Sequence, residues 1–445
     1  MKIAIIGTGY VGLVTGVCLS EIGHEVTCID TNLEKVDQLK KGISPIYEPG
    51  LEELMKKNCA AGRLEFTNNS IIGLKDKEVI YIAVGTPQGE DGAADLTYVF
   101  NAARNIGENI TRNVVVVTKS TVPIGTNAKV RQLVMSNLQE NVCAEVVSNP
   151  EFLREGSAIH DSFNGDRIVI GTDNQEAGDI VEEINKSFGL PILRTSLHSA
   201  EMIKYASNAF LATKISFINE IANLSEKTNA HIEEVAKGIG MDSRIGNKFL
   251  NAGIGYGGSC FPKDTQALVK ISEDYNHDFH LLKSVITVNE KQKTLLVRKA
   301  KERFGTLTGK KVALLGLAFK PETDDMREAA SISVASELVE EGAEVIGYDP
   351  IAANNAKKVL PEEVLYADQI EEAIKQADVV FILTEWKEIV EKTLILSTLF
   401  MNEPIIFDGR NCYTSEDLFN LEVEYISVGR ERLLNIRENR VAAVI

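Results

Sequence analysis

A glycine-rich turn near the N-terminus restricts the possible fold more than any other stretch of the sequence. The apolar run at residues 2–6 is followed at once by Gly7-Thr8-Gly9-Tyr10-Val11-Gly12, then by a helical pattern and a second apolar run that ends at Asp30. A strand, a G-x-G-x-x-G turn, a helix and a strand ending in an acid about 20 residues later are typical of a dinucleotide-binding βαβ unit. We therefore expect an α/β fold built on a doubly wound parallel sheet. The alternative is the same kind of turn in a flavodoxin-like sheet that binds no dinucleotide.

Asp30 and the glycines of this turn also predict which cofactor binds. Glycine allows a pyrophosphate to approach the helix N-terminus, where unpaired N–H groups favour negative charge. The Asp30 carboxylate is expected to accept hydrogen bonds from the adenosine ribose, and it would repel the 2′-phosphate of NADP. The sequence therefore favours NAD, although Lys35 lies close enough to weaken that preference.

Hydroxyl side chains follow two later apolar runs. The run at 79–87 ends in Gly-Thr-Pro and contains Thr86, and the run at 114–123 contains Ser120 and Thr121. Ligands of open parallel sheets lie at the carboxyl ends of the strands, so these three hydroxyls are candidates to line the nicotinamide half of the cofactor. A cap or turn role is the alternative for each of them.

A second glycine-rich stretch, Gly-Ile-Gly-Tyr-Gly-Gly-Ser-Cys-Phe-Pro-Lys-Asp at residues 253–264, surrounds one cysteine. Its glycines would let a ligand lie on the backbone amides. Pro262 suits the first turn of a helix, so Cys260 is expected just ahead of a helix N-terminus. The helix dipole and nearby Lys263 would favour the thiolate, which is the form that attacks carbonyl carbon. A small buried hydrophobe in a turn is the alternative.

Two further pairs of polar residues are spaced four apart. Glu151 and Glu155 would share one helix face if a helix begins after Pro150, and a carboxylate there could direct water at a thioester. Lys204 and Asn208 lie one turn apart in a long helical pattern from about Ser196 to Asn229. A solvated helix start and a lysine that extends to water are the alternatives.

The sequence divides into three predicted segments. Residues 1–195 form an N-terminal NAD-binding Rossmann domain, 196–304 a central helical segment, and 308–445 a C-terminal Rossmann-like domain whose apolar runs repeat the first unit. The predicted fold is thus two Rossmann-like doubly wound domains joined by a long central helix. Three cations of the C-terminal segment lie where strands end: Lys320, Arg327 and Arg410.

Charge and cysteine usage exclude several function classes. The formal net charge of −17 over 445 residues argues against nucleic acid or an anionic membrane as partner, so a phosphate-bearing ligand must meet local cations. The six cysteines and six histidines lack metal-ligand or disulfide spacing, so we expect no metal. With no long apolar run and no signal peptide, a cytoplasmic location is expected.

Taken together, the motifs resemble those of the UDP-glucose/GDP-mannose dehydrogenase family over nearly the whole chain. The stretches that carry the resemblance, in chain order, are Gly-Thr-Gly-Tyr-Val-Gly (7–12), Val-Gly-Thr-Pro (84–87), Ser-Thr-Val-Pro (120–123), Asn-Pro-Glu-Phe-Leu-Arg-Glu-Gly (149–156), Lys204 with Asn208, Gly-Tyr-Gly-Gly-Ser-Cys-Phe-Pro-Lys-Asp (255–264) and Gly-Leu-Ala-Phe-Lys (316–320). Residues 157–171 look like the UDP-glucose branch of this family.

The resemblance implies a four-electron oxidation of the sugar C6 alcohol, from UDP-glucose to UDP-glucuronate, with two NAD reduced. Cys260 would form a thiohemiacetal and then a thioester. Lys204 and Asn208 would stabilise negative charge at the C6 oxygen, Glu151 would assist thioester hydrolysis, and Thr121 would position water. Either Lys204 or a water held by Asp264 would remove the first proton.

The resemblance also implies further contacts. For the cofactor these are Gly7, Gly9, Tyr10, Val11, Gly12, Asp30, Lys35, Thr86, Thr121, Glu155, Lys263 and Arg327. For the substrate they are Glu151, Phe152, Leu153, Glu155, Lys204, Asn208, Arg244, Asn251, Gly253, Tyr256, Gly257, Phe319, Lys320 and Arg410, with Arg244 reaching in from a partner subunit. A homodimer formed through the long helix, or a larger oligomer, is implied as well.

Three alternative functions stay open at this point. A related enzyme could oxidise GDP-mannose or a UDP-N-acetyl-hexosamine. An ordinary hydroxyacid dehydrogenase would stop after two electrons. A catalytically silent dinucleotide-binding protein would have no need for Lys204, Asn208, Cys260 and Asp264 together.

Overall fold

The computed structural model describes residues 1–419 and 421–433, and it divides them into two compact units. The first contains Met1–Ser207 and Gln266–His277, and the second contains Asn208–Thr265 and the chain from Asp278 onward. Residues 420 and 434–445, which fall in the predicted C-terminal segment, lie outside the described residues. The three-part division expected from the sequence stays a prediction.

The first unit is built on an eight-stranded sheet with the order β3-β2-β1-β4-β5-β6-β7-β8. Its strands are β1 Lys2–Ile6, β2 Glu25–Ile29, β3 Leu64–Thr67, β4 Val79–Ile82, β5 Val114–Thr118, β6 Ala144–Ser148, β7 Ile168–Gly171 and β8 Ile192–Thr195. Its helices are α1 Tyr10–Glu21, α2 Leu33–Lys40, α3 Leu51–Ala60, α4 Ser70–Leu74, α5 Thr97–Asn109, α6 Thr126–Met135, α7 Ala158–Asn164 and α8 Gln175–Asn185, followed by a 3-10 turn at Lys186–Phe188. All pairings are parallel except the β6–β7 contact, where Ser148 opposes Gly171 in the antiparallel sense.

Five helices follow this sheet in the chain: α9 Leu197–Thr228, α10 Ile232–Gly240, α11 Phe261–Asp274, α12 His280–Lys293 and α13 Leu295–Phe304. The division between the two units falls inside α9, between Ser207 and Asn208. The 32-residue α9 is the long central helix expected from the uninterrupted helical pattern.

The second unit contains a six-stranded parallel sheet with the order β11-β10-β9-β12-β13-β14. Its strands are β9 Lys311–Leu315, β10 Glu344–Tyr348, β11 Leu365–Tyr366, β12 Val379–Ile382, β13 Ile405–Asp408 and β14 Glu424–Ile426, and its remaining helices are α14 Ala330–Glu340, α15 Ala353–Ala356, α16 Ile370–Ile374 and α17 Lys387–Phe400. The predicted fold class, two doubly wound α/β units with a long central helix, is confirmed.

Both sheets are covered on both faces. In β1, Ile3 and Ile5 belong to one buried apolar cluster and Ala4 to another, because successive side chains of a strand point to opposite faces. In β9, Val312 and Ala313 are divided between two clusters in the same way. Strands buried on both faces read as continuous apolar runs, which is why the sequence shows them so clearly.

In each sheet the strand order reverses at one point, between β1 and β4 and between β9 and β12. Ligands of such folds lie beyond the carboxyl ends of the strands at this point. None of the helices in the described part of the chain is long and apolar enough to cross a membrane.

Candidate active site

The turn after β1 has three glycines in three different environments. Gly7 has φ +99°, and a Cβ there would lie 2.6 Å from the carbonyl oxygen of Ala83. A Cβ on Gly12 would collide with the Gly7 carbonyl, whereas a Cβ on Gly9 would meet nothing within 4 Å. The first and third glycines therefore serve tight packing, and the second leaves open space beside the start of α1, whose N-terminus has no side-chain cap. This arrangement fits the pyrophosphate of a dinucleotide.

Asp30 follows β2 and binds Thr8 of the same turn. Its Oδ2 accepts hydrogen bonds from the Thr8 amide at 3.0 Å and the Thr8 hydroxyl at 2.6 Å, and it pairs with Lys35 Nζ at 3.1 Å. Burial raises the pKa of Asp30, but hydrogen bonds from Thr8, the Asn32 amide and Lys35 outweigh it, so the pKa lies below its ordinary value. Asp30 is therefore a carboxylate at neutral pH, as a ribose acceptor must be. The Lys35 charge is engaged by this carboxylate.

The loops that follow β4 and β5 are joined by their hydroxyl side chains. Thr86 Oγ1 donates to the Thr121 carbonyl at 3.0 Å, and Ser120 Oγ donates to the Val84 carbonyl at 2.7 Å. These loops lie at the carboxyl ends of adjacent parallel strands, where the sequence placed the nicotinamide half of the cofactor. Their contact with the cofactor stays a prediction.

Tyr10, the first residue of α1, contacts the segment 149–157 that follows β6. Its hydroxyl accepts a hydrogen bond from the Gly156 amide at 2.6 Å, and Glu48 Oε2 accepts from the same amide at 2.7 Å. Glu48 Oε1 also accepts from the Ala158 amide at 2.7 Å, at the start of α7. Sequence reasoning missed Glu48, because no local signal marks an acid that caps a helix 110 residues away. Val11 lies next to Tyr10 in α1, and Glu155 is partly exposed.

The expectation that Glu151 and Glu155 share a helix face is wrong. Residues 149–156 are irregular, and the next helix begins only at Ala158. The reason is that Glu151 points into the protein, where its Oε1 lies 2.9 Å from Lys204 Nζ and each side chain is 4% exposed.

The Glu151–Lys204 pair has a defined surrounding. Glu151 Oε2 accepts from the Leu153 amide at 2.6 Å. Lys204 Nζ lies 5.4 Å from the centre of the Phe152 ring, and the Arg167 guanidinium lies 3.9 Å from the same centre. Burial raises the pKa of Glu151, but the Lys204 charge and hydrogen bonds from Lys204 and Leu153 outweigh it and lower the pKa. Glu151 is therefore a carboxylate at neutral pH.

Lys119 is a third charged residue of this cluster that sequence reasoning did not single out. Its Nζ donates to Asn149 Oδ1 at 3.1 Å, and its charge interacts with those of Glu151 and Lys204. Burial is the main reason that the pKa of Lys119 falls to about 8, and repulsion from Lys204 adds to it. The sequence shows a lysine directly before Ser-Thr-Val-Pro at a strand end. Its burial could not be predicted from the sequence.

In the second unit, Cys260 stands where the sequence placed it. It immediately precedes α11, and its carbonyl accepts the hydrogen bond of the Asp264 amide at 2.8 Å. The Ser259 hydroxyl lies 3.6 Å from the Cys260 sulfur. A thiol at the first turn of a 14-residue helix experiences the positive end of the helix dipole.

Asp264 collects two donors at the start of the same helix. Asn208 Nδ2 donates to its Oδ2 at 2.6 Å, and Lys263 Nζ donates to its Oδ1 at 2.7 Å. Asp264 is 1% exposed and Asn208 6%. Lys263 thus forms an ion pair with Asp264, and its effect on the Cys260 thiolate stays a prediction.

The glycines ahead of Cys260 pack against protein backbone and side chains. A Cβ on Gly253 would lie 2.7 Å from the Gly409 carbonyl, and a Cβ on Gly257 would collide with the Glu328 carbonyl. Gly255 and Gly258 have positive φ angles of +83° and +84°. Two of these glycines are therefore required for close approach of other chain segments, and the expected contact of a ligand with the loop amides stays a prediction. The buried Tyr256 and exposed Asn251 flank these glycines, and their substrate contacts stay predictions.

Arg410 forms hydrogen bonds with two loops that follow strands of the second sheet. Its Nε donates to the Leu383 carbonyl at 2.7 Å and its Nη2 to the Phe319 carbonyl at 3.1 Å. Lys320 Nζ lies 5.5 Å from the centre of the Phe319 ring. Phe319 and Lys320 follow β9, whereas Arg410 follows β13, and its hydrogen bonds reach the loops after β9 and β12, the two strands between which the strand order reverses.

The other two predicted arginines are exposed. Arg327 pairs with Asp325 at 2.7 Å, and its side chain is 63% exposed. Arg244 pairs with Asp242 at 2.6 Å, and its side chain is 88% exposed. The second position is compatible with an arginine that reaches another molecule.

Two clusters of polar residues result, each within one unit. The first unit brings together Glu151, Lys204 and Lys119, and the second brings together Asn208, Lys263 and Asp264 beside Cys260. Helix α9 carries both Lys204 and Asn208. Within residues 1–419 and 421–433, no cluster of three or more His, Cys, Asp or Glu could hold a metal ion.

Three models of one protein family match successive segments of the chain. Residues 1–189 match the NAD binding domain of the UDP-glucose/GDP-mannose dehydrogenase family, residues 198–291 its central domain, and residues 313–415 its UDP binding domain. The prediction that NAD is the cofactor is thereby confirmed.

Relatives match over almost the whole length. The UDP-glucose 6-dehydrogenases YwqF and TuaD of Bacillus subtilis (strain 168) are 58% and 49% identical; the alignments cover 98% and 96% of this chain, and 99% and 93% of those proteins. The solved structure of a UDP-glucose dehydrogenase from Pyrobaculum islandicum is 39% identical with a TM-score of 0.90, covering 97% of this chain and 98% of that one. The chain therefore belongs to the UDP-glucose/GDP-mannose dehydrogenase family.

Proposed function

We propose that this protein is an NAD-dependent UDP-glucose 6-dehydrogenase, which oxidises C6 of UDP-glucose to the carboxylate of UDP-glucuronate and reduces two NAD per sugar. Relatives with 58% and 49% identity carry this activity in their names. The family models for NAD and UDP binding supply the two ligand classes that the reaction requires.

The observation that carries the proposal is the placement of Cys260 at the N-terminus of α11, one turn before an aspartate that holds Asn208 and Lys263. A reactive sulfur allows the aldehyde formed by the first oxidation to stay on the enzyme for the second. A dehydrogenase that only converts an alcohol to a carbonyl compound needs no such nucleophile.

The residues divide the work as follows. The turn at Gly7–Gly12 and Asp30 would hold NAD, which would supply the hydride acceptor for each of the two oxidations. The proton of the C6 hydroxyl passes to a water held by Asp264, or to Lys204 when its amine is neutral. The Cys260 sulfur then bonds to the aldehyde carbon, and a second two-electron oxidation converts this thiohemiacetal into a thioester.

Hydrolysis completes the reaction. Glu151, which the Lys204 charge keeps ionised, takes a proton from the attacking water, and the C–S bond breaks to return Cys260 and release the uronate. Lys204 and Asn208 would stabilise the negative charge that develops on oxygen at C6. Thr121 would position the water.

The diphosphate of the substrate requires cations in a chain with a net charge of −17. Lys320 and Arg410 lie within the segment that matches the UDP binding domain, at the strand ends of the second sheet. Arg410 already orders the carbonyls of Phe319 and Leu383, so its guanidinium is held in place before any ligand arrives.

We further propose a homodimer that uses α9. Phe210, Phe217 and Leu224 follow one another at seven-residue intervals on this helix and are 66%, 53% and 55% exposed. An exposed apolar stripe of this kind marks an interaction surface. The exposed Arg244 would then reach the site of the partner subunit. A cytoplasmic location stays a prediction.

The test is the stoichiometry of reduced cofactor. Purified protein is incubated with NAD and a limiting amount of UDP-glucose, GDP-mannose, UDP-N-acetylglucosamine or UDP-N-acetylmannosamine, and NADH is counted per sugar consumed. Two NADH with UDP-glucose alone is expected. One NADH per sugar would indicate a two-electron dehydrogenase, and a reaction only with another sugar nucleotide would overturn the choice of substrate. No turnover with any of them would favour a silent dinucleotide-binding protein.

A further inference from the structure

Three buried amide side chains hold the backbone of the loop at Gly253–Tyr256. Asn219 of α9 accepts from the Gly253 amide at 2.9 Å, and Gln292 of α12 donates to the Gly253 carbonyl at 2.8 Å. Asn289 of α12 accepts from the Tyr256 amide at 2.8 Å and donates to the Tyr256 carbonyl at 3.0 Å. Both ends of the four-residue loop are thus bound through N–H and C=O. We call these three residues the amide clamp.

The clamp is buried and closely fitted. Asn219, Asn289 and Gln292 are 0%, 1% and 2% exposed. Gly255 has φ +83°, and a Cβ there would lie 2.6 Å from Asn289 Oδ1, so the loop can approach the amide only because residue 255 is glycine. Each of these bonds replaces a hydrogen bond to water that the buried backbone has lost, and breaking one leaves a polar group unsatisfied.

The clamp is itself anchored to the two helices that carry it. Asn223 of α9 donates to Gln292 Oε1 at 3.1 Å, and Ser216 of α9 donates to the Val285 carbonyl of α12 at 2.9 Å. The loop therefore takes its shape from two packed helices. Without the clamp, a stretch with glycine at 253, 255, 257 and 258 would have unusual conformational freedom.

We propose that Asn289 and Gln292, with Asn219, are positioning residues that pre-form the sugar-nucleotide subsite at Gly253–Tyr256 and thereby help to hold Cys260, which lies four residues further along the chain. This inference rests on the proposed function, because it assigns substrate contact to that loop. The clamp residues bond to the loop through its backbone, so they act on the substrate through the loop. Ordering a loop before binding spares the substrate the entropy cost of ordering it.

The experiment uses apolar variants of similar size in the full-length protein. Asn289→Leu removes both bonds to Tyr256, and Gln292→Met removes the bond to Gly253. Asn185→Leu is the matched control, because Asn185 is a 5% exposed asparagine of α8 whose amide donates to the Val181 carbonyl at 2.7 Å. KM for the sugar nucleotide, KM for NAD, Tm and hydrogen–deuterium exchange of the peptide covering 253–258 are measured for all of them.

If the clamp positions the subsite, Asn289→Leu raises KM for the sugar nucleotide by about tenfold or more and Gln292→Met by about threefold, since each lost bond leaves a buried group unpaired. KM for NAD is expected to stay within about twofold, and exchange in 253–258 to accelerate. Asn185→Leu is expected to lower Tm while both KM values stay unchanged.

The opposite outcome is equally clear. If both clamp variants lose Tm to the same extent as Asn185→Leu and keep the KM for the sugar nucleotide, the clamp has only a structural role and the inference is wrong.

Should Asn289→Leu fail to fold, Gln292→Met decides the question. The sugar nucleotide used is whichever one the wild type oxidises, so an error in the choice of UDP-glucose does not affect the comparison. A wild type that oxidises none of them refutes the proposed function, and unchanged exchange in 253–258 in both variants would then refute the clamp separately.

Discussion

Glu151 and Lys204 form a buried ion pair, with 2.9 Å between Oε1 and Nζ and 4% of each side chain exposed. The two residues come from different elements, the irregular segment after β6 and the helix α9, and are 53 positions apart. The pair joins the carboxylate proposed to act in thioester hydrolysis to the ammonium proposed to stabilise charge at C6. Loss of either partner is expected to affect both stability and chemistry.

Replacing Glu151 with glutamine leaves the Lys204 ammonium buried without its counter-charge, which typically costs about 3–5 kcal/mol. The folded-state pKa of Glu151 is lowered, so its contribution to stability is present above its unfolded pKa, near 4.5, and is lost as pH falls through the folded value. The difference in unfolding free energy between wild type and Glu151→Gln is therefore expected to be large at pH 7 and to shrink below about pH 4.5. Urea unfolding at several pH values measures it, with Glu140→Gln, an exposed acid, as control. A difference that does not change with pH would contradict the prediction.

Cys260→Ser is expected to abolish uronate formation, because a serine hydroxyl is a weaker nucleophile and a serine ester hydrolyses more slowly than a thioester. An acyl ester trapped on residue 260 would appear in the mass spectrum of the intact protein. Cys143→Ser is the matched control, since Cys143 is exposed and expected to be uninvolved. Undiminished uronate output by Cys260→Ser without an adduct would overturn the mechanism.

Asp30→Ala is expected to raise KM for NAD by about tenfold or more, because hydrogen bonds from a ribose to a charged acceptor contribute about 1.5–3 kcal/mol. Discrimination against NADP should fall at the same time, since the repulsion of a 2′-phosphate is removed. Initial rates with both cofactors measure this. Asp37→Ala, at an exposed position of α2, is expected to leave both values unchanged. Equal KM values in Asp30→Ala and wild type would count against the ribose contact.

The lowered pKa of Lys119 predicts that the free energy of unfolding changes with pH in the alkaline range. Its folded-state pKa is about 8, below the ordinary 10.5, so between these values the unfolded chain binds more protons than the native one. Stability should therefore rise with pH from about 8 to about 10.5, because the native state no longer bears the cost of a buried charge. The expected gain is on the order of 1 kcal/mol or more, and it should be absent in Lys119→Met.

Chemical unfolding of wild type and Lys119→Met at pH 7.5, 9 and 10 isolates this contribution, because other alkaline groups titrate in both proteins. Lys75→Met, at an exposed position of the same unit, serves as control and should follow the wild type. Parallel stability curves for wild type and Lys119→Met would show that Lys119 is an ordinary solvated lysine.

The elements expected to bind the cofactor were the most predictable part of the fold. The turn at Gly7–Gly12, Asp30 and the strand-end hydroxyls Thr86 and Thr121 are local signals, because strand, turn and helix follow one another without interruption. The start of α11 after Cys260 was also predictable, since Pro262 restricts the backbone where it stands. In contrast, the short strands β3, β11 and β14 carry too few apolar residues for their pattern to stand out.

Asp30 and Asp349 show that a local sequence pattern does not predict the surroundings of a side chain. Each follows the second strand of its sheet, and in the sequence they look alike. In the structure, Asp349 is 5% exposed and accepts hydrogen bonds from the amides of Leu317, Ala318, Ile351 and Ala352 and from the Trp386 indole. The carboxylate of Asp349 thus accepts its hydrogen bonds from groups of its own unit.

The sequence by itself determined the fold class, the glycine-rich turn after β1 and the position of Cys260 just ahead of a helix, because each is written in contiguous residues whose spacing reflects backbone geometry. Only the tertiary structure decided that Glu151 turns inward to Lys204, that Asp264 collects Asn208 and Lys263, and that Asn289 and Gln292 hold the loop before Cys260. These contacts mostly join residues more than 30 positions apart, and the burial that gives them their energy arises only when the helices and sheets have packed.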